Sequence, residues 1–267
     1  MPALTTLRAR ILVKAYPQPS KKLEETVCVA AVSEDGKRML RLYPIRFRRL
    51  LPEQRFDRFD LIECNGYQPS SDGRPESYHI DESSIRLVDK TKSLNNFARI
   101  RLWQDHIVAS LTALEDAQRL TKQSLGIVKP DIGSVKFIVV PIAEANADDR
   151  ELAGQLMQQQ SLLETPLIPL EKSEFAFKYS FTSGGKSHEH TILDWEVQAA
   201  WFSFQRRYGS KEKALDMLKQ EYGERIPAQN LHIIFGNQHA RPWQFIIIGL
   251  LRTPLNPEEV NKQGQLF

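Results

Sequence analysis

The sequence has little of what marks several large classes of protein. Its 267 residues include only two cysteines, Cys28 and Cys64, and neither has the spacing of a metal knuckle or a redox pair. No apolar run approaches the roughly 20 residues that a membrane span requires. The first residues also lack the charged-then-apolar layout of a secretion signal. These absences predict a protein of the reducing cytoplasm, with no membrane among its partners.

The signature loops of several common enzymes are missing as well. The sequence has no Walker loop, no Gly-x-Gly-x-x-Gly after a strand, no Gly-x-Ser-x-Gly elbow and no Cys-x-x-Cys. These absences argue against nucleotide-driven motors, Rossmann oxidoreductases and common serine hydrolases. The segment Asp194-Trp195-Glu196 also lacks the lysine that would complete a restriction-type nuclease core. Whether the protein is an enzyme is left open by the sequence.

What the chain does contain is ordinary for a soluble globular protein, with 41% apolar and 26% charged residues. The N-terminal half is rich in strand signals, and an Asp35-Gly36 turn joins two of the strands as a hairpin. The predicted strands are 7–16, 26–32, 39–43 (ended by Pro44), 61–64, 79–80 and 85–88. We expect a small mixed or barrel-like sheet. Apolar residues at three- and four-residue steps predict one long helix over 97–120.

The C-terminal half is predicted to contain antiparallel strands and two helices. Aromatic residues at every second position over 174–182 predict a strand with one buried face. The other predicted elements are strands at 135–142, 231–235 and 243–251 and helices at 194–207 and 210–222. The fold class is therefore α+β. The predicted organisation is a basic strand-rich domain (1–145), a connection (146–173), an α+β domain (174–253) and a flexible tail (254–267).

The net charge of +3 hides a strongly basic segment at 37–58. Its cations are Lys37, Arg38, Arg41, Arg46, Arg48, Arg49, Arg55 and Arg58. Only Glu53 and Asp57 oppose them within the segment, and aromatic residues lie between them. Arginines on phosphates and rings for stacking are typical of a nucleic-acid surface, with Arg74 in a later loop as a further contact. The alternative is a solvent-exposed strand face whose aromatic residues point into the core, which would have the same sequence pattern.

The densest group of metal-ligating side chains is His188, His190, Asp194 and Glu196. If 187–192 is extended, the two imidazoles project from one face and the carboxylates follow at a helix entrance. His188, His190 and Asp194 would suit zinc, or manganese if oxygen ligands dominate. Such a metal would activate a water for phosphodiester cleavage, with the four residues as the catalytic set. The alternative is structural, because Asp194 is also a good helix N-cap.

A second polar cluster connects two apolar strands near the C-terminus. Its side chains are Asn237, His239, Arg241 and Trp243. Polar groups on a loop that a rigid sheet holds in place are typical of binding sites, so this loop is a candidate ligand site. The alternative is a plain hairpin connection, with Asn and Gly for turn geometry. If His188 and His190 lie near this loop, the two clusters form one site.

The last five residues, Gln263-Gly264-Gln265-Leu266-Phe267, carry the one resemblance to a known family of motifs. The pattern Gln-x-x-Leu-Phe resembles the short peptide by which many bacterial DNA-processing proteins dock on the replicative sliding clamp. The resemblance implies that Gln263, Leu266 and Phe267 bind a pocket of the clamp, as a polar hook and two apolar anchors. Gly264 and Gln265 depart from the usual apolar and small or acidic residues. We therefore expect weak binding.

Together these features predict a bacterial DNA-binding protein of replication, repair or defence, with RNA not excluded as a partner. The first alternative is a metal-dependent nuclease or related hydrolase at the His-x-His and Asp-x-Glu cluster. The second alternative is a module that binds a small ligand or a modified base at residues 237–243. Cofactors are unknown beyond the possible zinc or manganese.

Overall fold

A computed structural model describes residues 4–20, 24–90, 94–145, 147, 171 and 173–252. It confirms an α+β fold. The strands are β1 (Thr5–Lys14), β2 (Gln18–Ser20), β3 (Glu24–Ser33), β4 (Met39–Ile45), β5 (Leu61–Tyr67), β6 (Ser77–Asp89), β7 (Ile107–Val108), β8 (Leu125–Val128), β9 (Lys136–Pro141), β10 (Phe175–Ser183), β11 (Lys186–Thr191), β12 (His232–Asn237) and β13 (Phe245–Leu251). The α-helices are α1 (Asn96–Arg101), α2 (Leu111–Thr121), α3 (Trp195–Tyr208) and α4 (Lys211–Lys219), the last continuing as a π-helix over Gln220–Arg225. Within these ranges, no helix is long and apolar enough to cross a bilayer.

The N-terminal strands close into a barrel. Their order is β1-β5-β6-β4-β3, and β3 pairs back with β1. The pairings are antiparallel except that between β4 and β6, where Leu42 lies beside Tyr78. This connectivity is that of the OB fold, a five-stranded Greek-key barrel. The prediction of a mixed or barrel-like sheet is confirmed.

The barrel forms because apolar residues alternate along its strands. Ile11, Val29, Leu42 and Ile62 are fully buried in its core. Asp35-Gly36 makes the predicted hairpin turn between β3 and β4, and Gly36 adopts the positive φ of 73° that favours glycine.

Two predicted strand limits in this half are wrong. Pro44 does not end β4, which continues to pair with β3 at Val27 and Ile45. The two short strands predicted at 79–80 and 85–88 belong to one strand, β6, because register shifts let it bend around the barrel.

The single helix predicted over 97–120 is also wrong. The chain forms α1, a 3-10 turn at Gln104–His106, the short strand β7 and then α2. The regular spacing of apolar residues does not reflect one helix, because these residues are buried in different places. Trp103 packs between the two halves, whereas Leu111 and Leu114 belong to the C-terminal core. Ser110 begins α2 by accepting a hydrogen bond from Ala113 N.

The C-terminal strands follow the same connectivity as the first barrel. β8 pairs with β12, and β9 pairs with β10, so these two strands, separated by a loop at 129–135, together take the place of the first strand. β10 pairs with β11, β12 pairs with β13, and a parallel bridge joins Ile192, just after β11, to Ile247 in β13. The core is aromatic, with Phe177, Tyr179 and Phe181 on the predicted face of β10. We call this unit the second barrel.

This pairing changes where the halves divide. Strands β7, β8 and β9 pair with strands of the C-terminal half, whereas the sequence placed all residues up to 145 in the N-terminal domain. The sheets therefore change membership between β6 and β7. The division into domains stays a prediction, and most of the connection at 146–173 and the tail from 254 lie outside the described residues.

The two barrels pack against each other through their outer faces. Met39, Ala30 and Val32 of the first barrel share a buried cluster with Ile127 and Ile234 of the second. Polar contacts cross the same boundary, since the buried Arg41 donates to Ser124 O at 2.8 Å.

Candidate functional site

The predicted basic surface at 37–58 is largely paired within the fold. Arg46 Nε donates to Glu82 Oε1 at 2.6 Å, and Arg48 Nη1 lies 3.0 Å from Glu25 Oε2. Arg41 is buried against the second barrel. The acidic partners come from other strands, so counting charges within the segment could not reveal them. Neutralised and buried guanidinium groups are poor phosphate ligands.

The remaining arginines of the segment have different surroundings. The exposed Arg38 donates to Tyr78 Oη at 3.4 Å, and the exposed Arg55 donates to Leu50 O at 3.2 Å. Arg49 is half-buried. Arg58 crosses to the second barrel, where its Nη2 lies 3.3 Å from Asp194 Oδ2. Arg41 and Arg58 therefore contact the second barrel, whereas the hydrogen bonds of Arg38 to Tyr78 and of Arg55 to Leu50 stay within the first.

Most of the face that OB barrels use for oligonucleotides is covered in the first barrel, although Tyr43 at the end of β4 is 44% exposed. That face lies on the second and third strands of the barrel, which here are β3 and β4. Their outward residues Ala30, Val32 and Met39 are buried against the second barrel. A nucleic acid would have to displace the second barrel to reach them.

The predicted metal cluster is not brought together. His190 Nδ1 lies 2.9 Å from Phe245 O, while Asp194 caps α3 by accepting from Glu196 N at 2.8 Å. Asp194 also accepts from Leu250 N at 2.8 Å. Burial raises the pKa of the Asp194 carboxyl, against the opposing charge of Arg58. In the part of the chain that the structure describes, no three His, Cys, Asp or Glu side chains converge on a possible metal position.

A polar cleft of about 350 Å³ between the barrels is lined by Arg58, Asp194 and Glu196, which the sequence singles out, and by Lys14, which it does not. Its floor holds Lys14, whose Nζ donates to Phe56 O at 2.9 Å and lies 4.2 Å from the centre of the Phe47 ring. Burial lowers the pKa of the Lys14 ammonium, in spite of the nearby carboxylate of Asp57. Arg58 lines the same cleft and is held by Asp194. Of these contacts, the pair of Arg58 and Asp194 connects the two barrels.

The loop at 237–243 joins the fourth and fifth strands of the second barrel. Asn237 is buried, and its Nδ2 donates to Pro242 O at 2.7 Å, which closes the loop on itself. Trp243 is 72% exposed, the largest exposed side chain among the described residues. The His239 side chain is 62% exposed. A rigid base therefore presents an indole and an imidazole to solvent.

A loop of the first barrel meets this loop. Residues 68–76 join the fourth and fifth strands of the first barrel, and Arg74 Nη1 donates from there to Asn237 O at 3.1 Å. Asp72 holds the same guanidinium, with Oδ2 2.6 Å from Arg74 Nη2, and lies 3.5 Å from His239 Nδ1. Partial burial would raise the pKa of the Asp72 carboxyl, but the hydrogen bonds and charge of Arg74 lower it to about 2.

Of the two histidines, His190 contacts the strand that follows this loop, and the joining of the two clusters into one site stays a prediction. A parallel bridge sets Ile192 beside Ile247, and His190 Nδ1 lies 2.9 Å from Phe245 O, two residues after Trp243. The ring centres of His188 and His190 are 6.2 Å apart. Burial lowers the pKa of His190. In the described part of the chain, His188 Nε2 is buried without a hydrogen-bond partner. We call loop 237–243, together with its flanks at 72–74 and 186–190, the rim.

The sequence singles out the loop and the histidines as candidates but gives no sign of the residues that hold the loop in place. The sequence does not single out Asp72, and it predicts Arg74 as a nucleic-acid contact. The only local signal was a Ser-Asp-Gly-Arg-Pro turn, which does not indicate a partner more than 160 positions away. The clamp-binding residues Gln263, Leu266 and Phe267 lie outside the described residues, so that interaction stays a prediction.

Comparison with known proteins assigns family but no activity. A family model described as "Domain of unknown function (DUF8757)" matches residues 106–267, and one described as "Domain of unknown function (DUF8758)" matches residues 5–105. No curated protein matches the chain. A murine DNA-binding protein bound with double-stranded DNA is 8% identical with a TM-score of 0.34, over 94% of this chain and 97% of that one. A structure described as "Molecular basis for abrogation of activation of pro-inflammatory cytokines" has the same identity and TM-score, over 72% and 79%. Sequence identities and TM-scores this low do not support a functional assignment.

Proposed function

The chain belongs to the DUF8757 family, and we propose from its own geometry that it binds single-stranded nucleic acid at the rim of the second barrel. The observation that carries the proposal is the exposure of Trp243 on the loop between the fourth and fifth strands. OB barrels bind oligonucleotides with this loop. Such proteins stack bases on aromatic side chains, each stack being worth about 1–3 kcal/mol.

The strandedness follows from the geometry of stacking. An indole that projects into solvent needs an open base face, and bases inside a duplex have both faces covered by their neighbours. The strand should therefore be single, with DNA as the first candidate and RNA sharing the same base and phosphate chemistry. The rim adds the cations Arg241 and Lys186. Action in replication, repair or defence belongs to the same proposal, because the C-terminal pentapeptide resembles the peptide that binds the sliding clamp.

The test measures the affinity of the whole protein for labelled 20-nucleotide DNA, the matching RNA and the 20-base-pair duplex. Fluorescence anisotropy at several salt concentrations gives both affinity and salt dependence. Trp243→Ala should weaken single-strand binding about 5- to 100-fold, because one stacking contact is lost. Trp243→Phe should keep most of the affinity. Ile132→Ala is the matched control, since Ile132 is 97% exposed and lies on another loop.

Two outcomes would contradict the proposal. If Trp243→Ala and Ile132→Ala bind as tightly as the unaltered protein, the rim is not the site. If the duplex binds as tightly as the single strand, stacking on Trp243 does not set the preference.

A further inference from the structure

Arg74 belongs to the first barrel but makes its contacts at the rim of the second. Its guanidinium uses all three nitrogens: Nε and Nη2 donate to Asp72 at 2.8 and 2.6 Å, and Nη1 donates to Asn237 O at 3.1 Å. The side chain is only 14% exposed. A phosphate could reach this guanidinium only by displacing contacts that are already well formed.

The contacts of Arg74 continue toward Trp243. Arg74 holds the backbone of Asn237, whose own side chain donates to Pro242 O at 2.7 Å. Pro242 immediately precedes Trp243. Asn237 N also donates to Ser124 O at 3.2 Å, so the start of the loop is fixed from two sides. Asp72 thus connects to the exposed indole through Arg74, Asn237 and Pro242.

We propose that Arg74 and Asp72 are positioning residues, through which the first barrel braces the binding loop of the second. Holding the loop before a ligand arrives lowers the ordering cost that binding would otherwise carry. The first barrel, whose own oligonucleotide face is covered at Ala30, Val32 and Met39, then serves as the support of a single site. This inference rests on the proposed function, because it assigns how that site is kept in shape.

The first experiment needs no nucleic acid. Trp103 and Trp201 are each 1% exposed and Trp195 is half-buried, so acrylamide quenching of tryptophan fluorescence reports mainly on Trp243. Arg74→Ala and Asp72→Asn should change quenching and lower the fluorescence anisotropy, because the loop becomes more mobile. Arg86→Ala is the matched control, since Arg86 also lies in the first barrel and pairs with an acid, Glu63. Arg74→Lys keeps the charge but not the two-pronged geometry, and should resemble Arg74→Ala.

The second experiment separates bracing from direct contact by salt dependence. Losing a phosphate contact should lower the slope of log affinity against log salt by about one unit. Losing a brace should weaken binding by about tenfold at every salt concentration and leave that slope unchanged. In a Trp243→Ala background, Arg74→Ala should have little further effect, since the two residues act through one loop.

The outcomes are distinguishable from failure of the proposed function. If Arg74→Ala lowers the salt slope by one unit, Arg74 contacts the strand and the inference is wrong. Unchanged quenching and anisotropy of Trp243 in both Arg74→Ala and Asp72→Asn would overturn it too. If the unaltered protein binds no nucleic acid but the loop loosens in these variants, the brace stands and the ligand is wrong. Circular dichroism melting checks that each variant is folded.

Discussion

Val13 and Gly249 touch across the boundary between the two barrels. A Cβ atom at position 249 would lie 2.1 Å from Val13 Cγ1 and 2.6 Å from its Cβ, which is far inside van der Waals contact. Both positions sit in strands, β1 and β13, whose outer faces meet. The close approach of two backbones is therefore the reason for a glycine in an otherwise apolar strand.

Gly249→Ala should destabilise the protein by about 1–3 kcal/mol, because the added methyl forces the barrels apart or distorts β1. The free energy of unfolding from urea denaturation measures the change. Gly73→Ala is the matched control, as a Cβ at position 73 meets nothing within 4 Å. Equal stability of the two variants would show that the barrels do not pack as closely as described.

The ion pair of Arg58 and Asp194 makes a second prediction about the same boundary. The Asp194 side chain is 2% exposed and that of Arg58 is 17% exposed, with Nη2 and Oδ2 3.3 Å apart. Arg58→Ala leaves a buried carboxylate unpaired and should cost about 3–5 kcal/mol at neutral pH. Part of this loss should be recovered in mild acid, because protonation of Asp194 removes the unpaired charge. Denaturation at two pH values measures both effects.

The surface pair of Arg119 and Asp116 is the control. Their side chains are 69% and 55% exposed, so Arg119→Ala should cost less than about 1 kcal/mol. If Arg58→Ala is equally harmless, the pair at the boundary contributes little to stability.

Sequence reasoning succeeded where the determinants are local. The alternating aromatics of β10 and the cap at Asp194 each follow from residues within one element, and both are present. The second barrel depends instead on distant pairings, such as Ile192 with Ile247, which leave no mark on local periodicity. The same holds for charge, because Glu82 lies 36 residues from the Arg46 that it neutralises.

His232 makes the stability of the protein sensitive to acid. Burial lowers its pKa to about 4, in spite of the opposing hydrogen bond with Asn230 O, and its ring packs 4.7 Å from that of Trp103. The unfolded chain binds this proton nearer the ordinary pKa of about 6.5, so protonation favours unfolding in that interval. The contribution is fully present above about pH 6.5 and is lost as the pH falls toward 4, by at most about 3 kcal/mol.

Comparison with His232→Gln isolates this effect, because Asp194 and His190 contribute equally to both proteins. The free energy of unfolding of the unaltered protein should fall relative to that of His232→Gln as the pH is lowered from 6.5 to 4. Parallel curves across this interval would contradict a buried neutral imidazole at position 232.

The basic segment and the rim make opposite predictions for nucleic-acid binding. If residues 37–58 form the contact surface, as the sequence predicts, neutralising Arg46, Arg48 and Arg49 together should weaken binding and lower the salt slope by up to about three units. If the rim is the site, the triple substitution should leave the salt slope nearly unchanged. It should instead lower the melting temperature, because Glu82 and Glu25 lose the partners that neutralise them. Anisotropy titrations at several salt concentrations, alongside thermal melts, decide between the two surfaces.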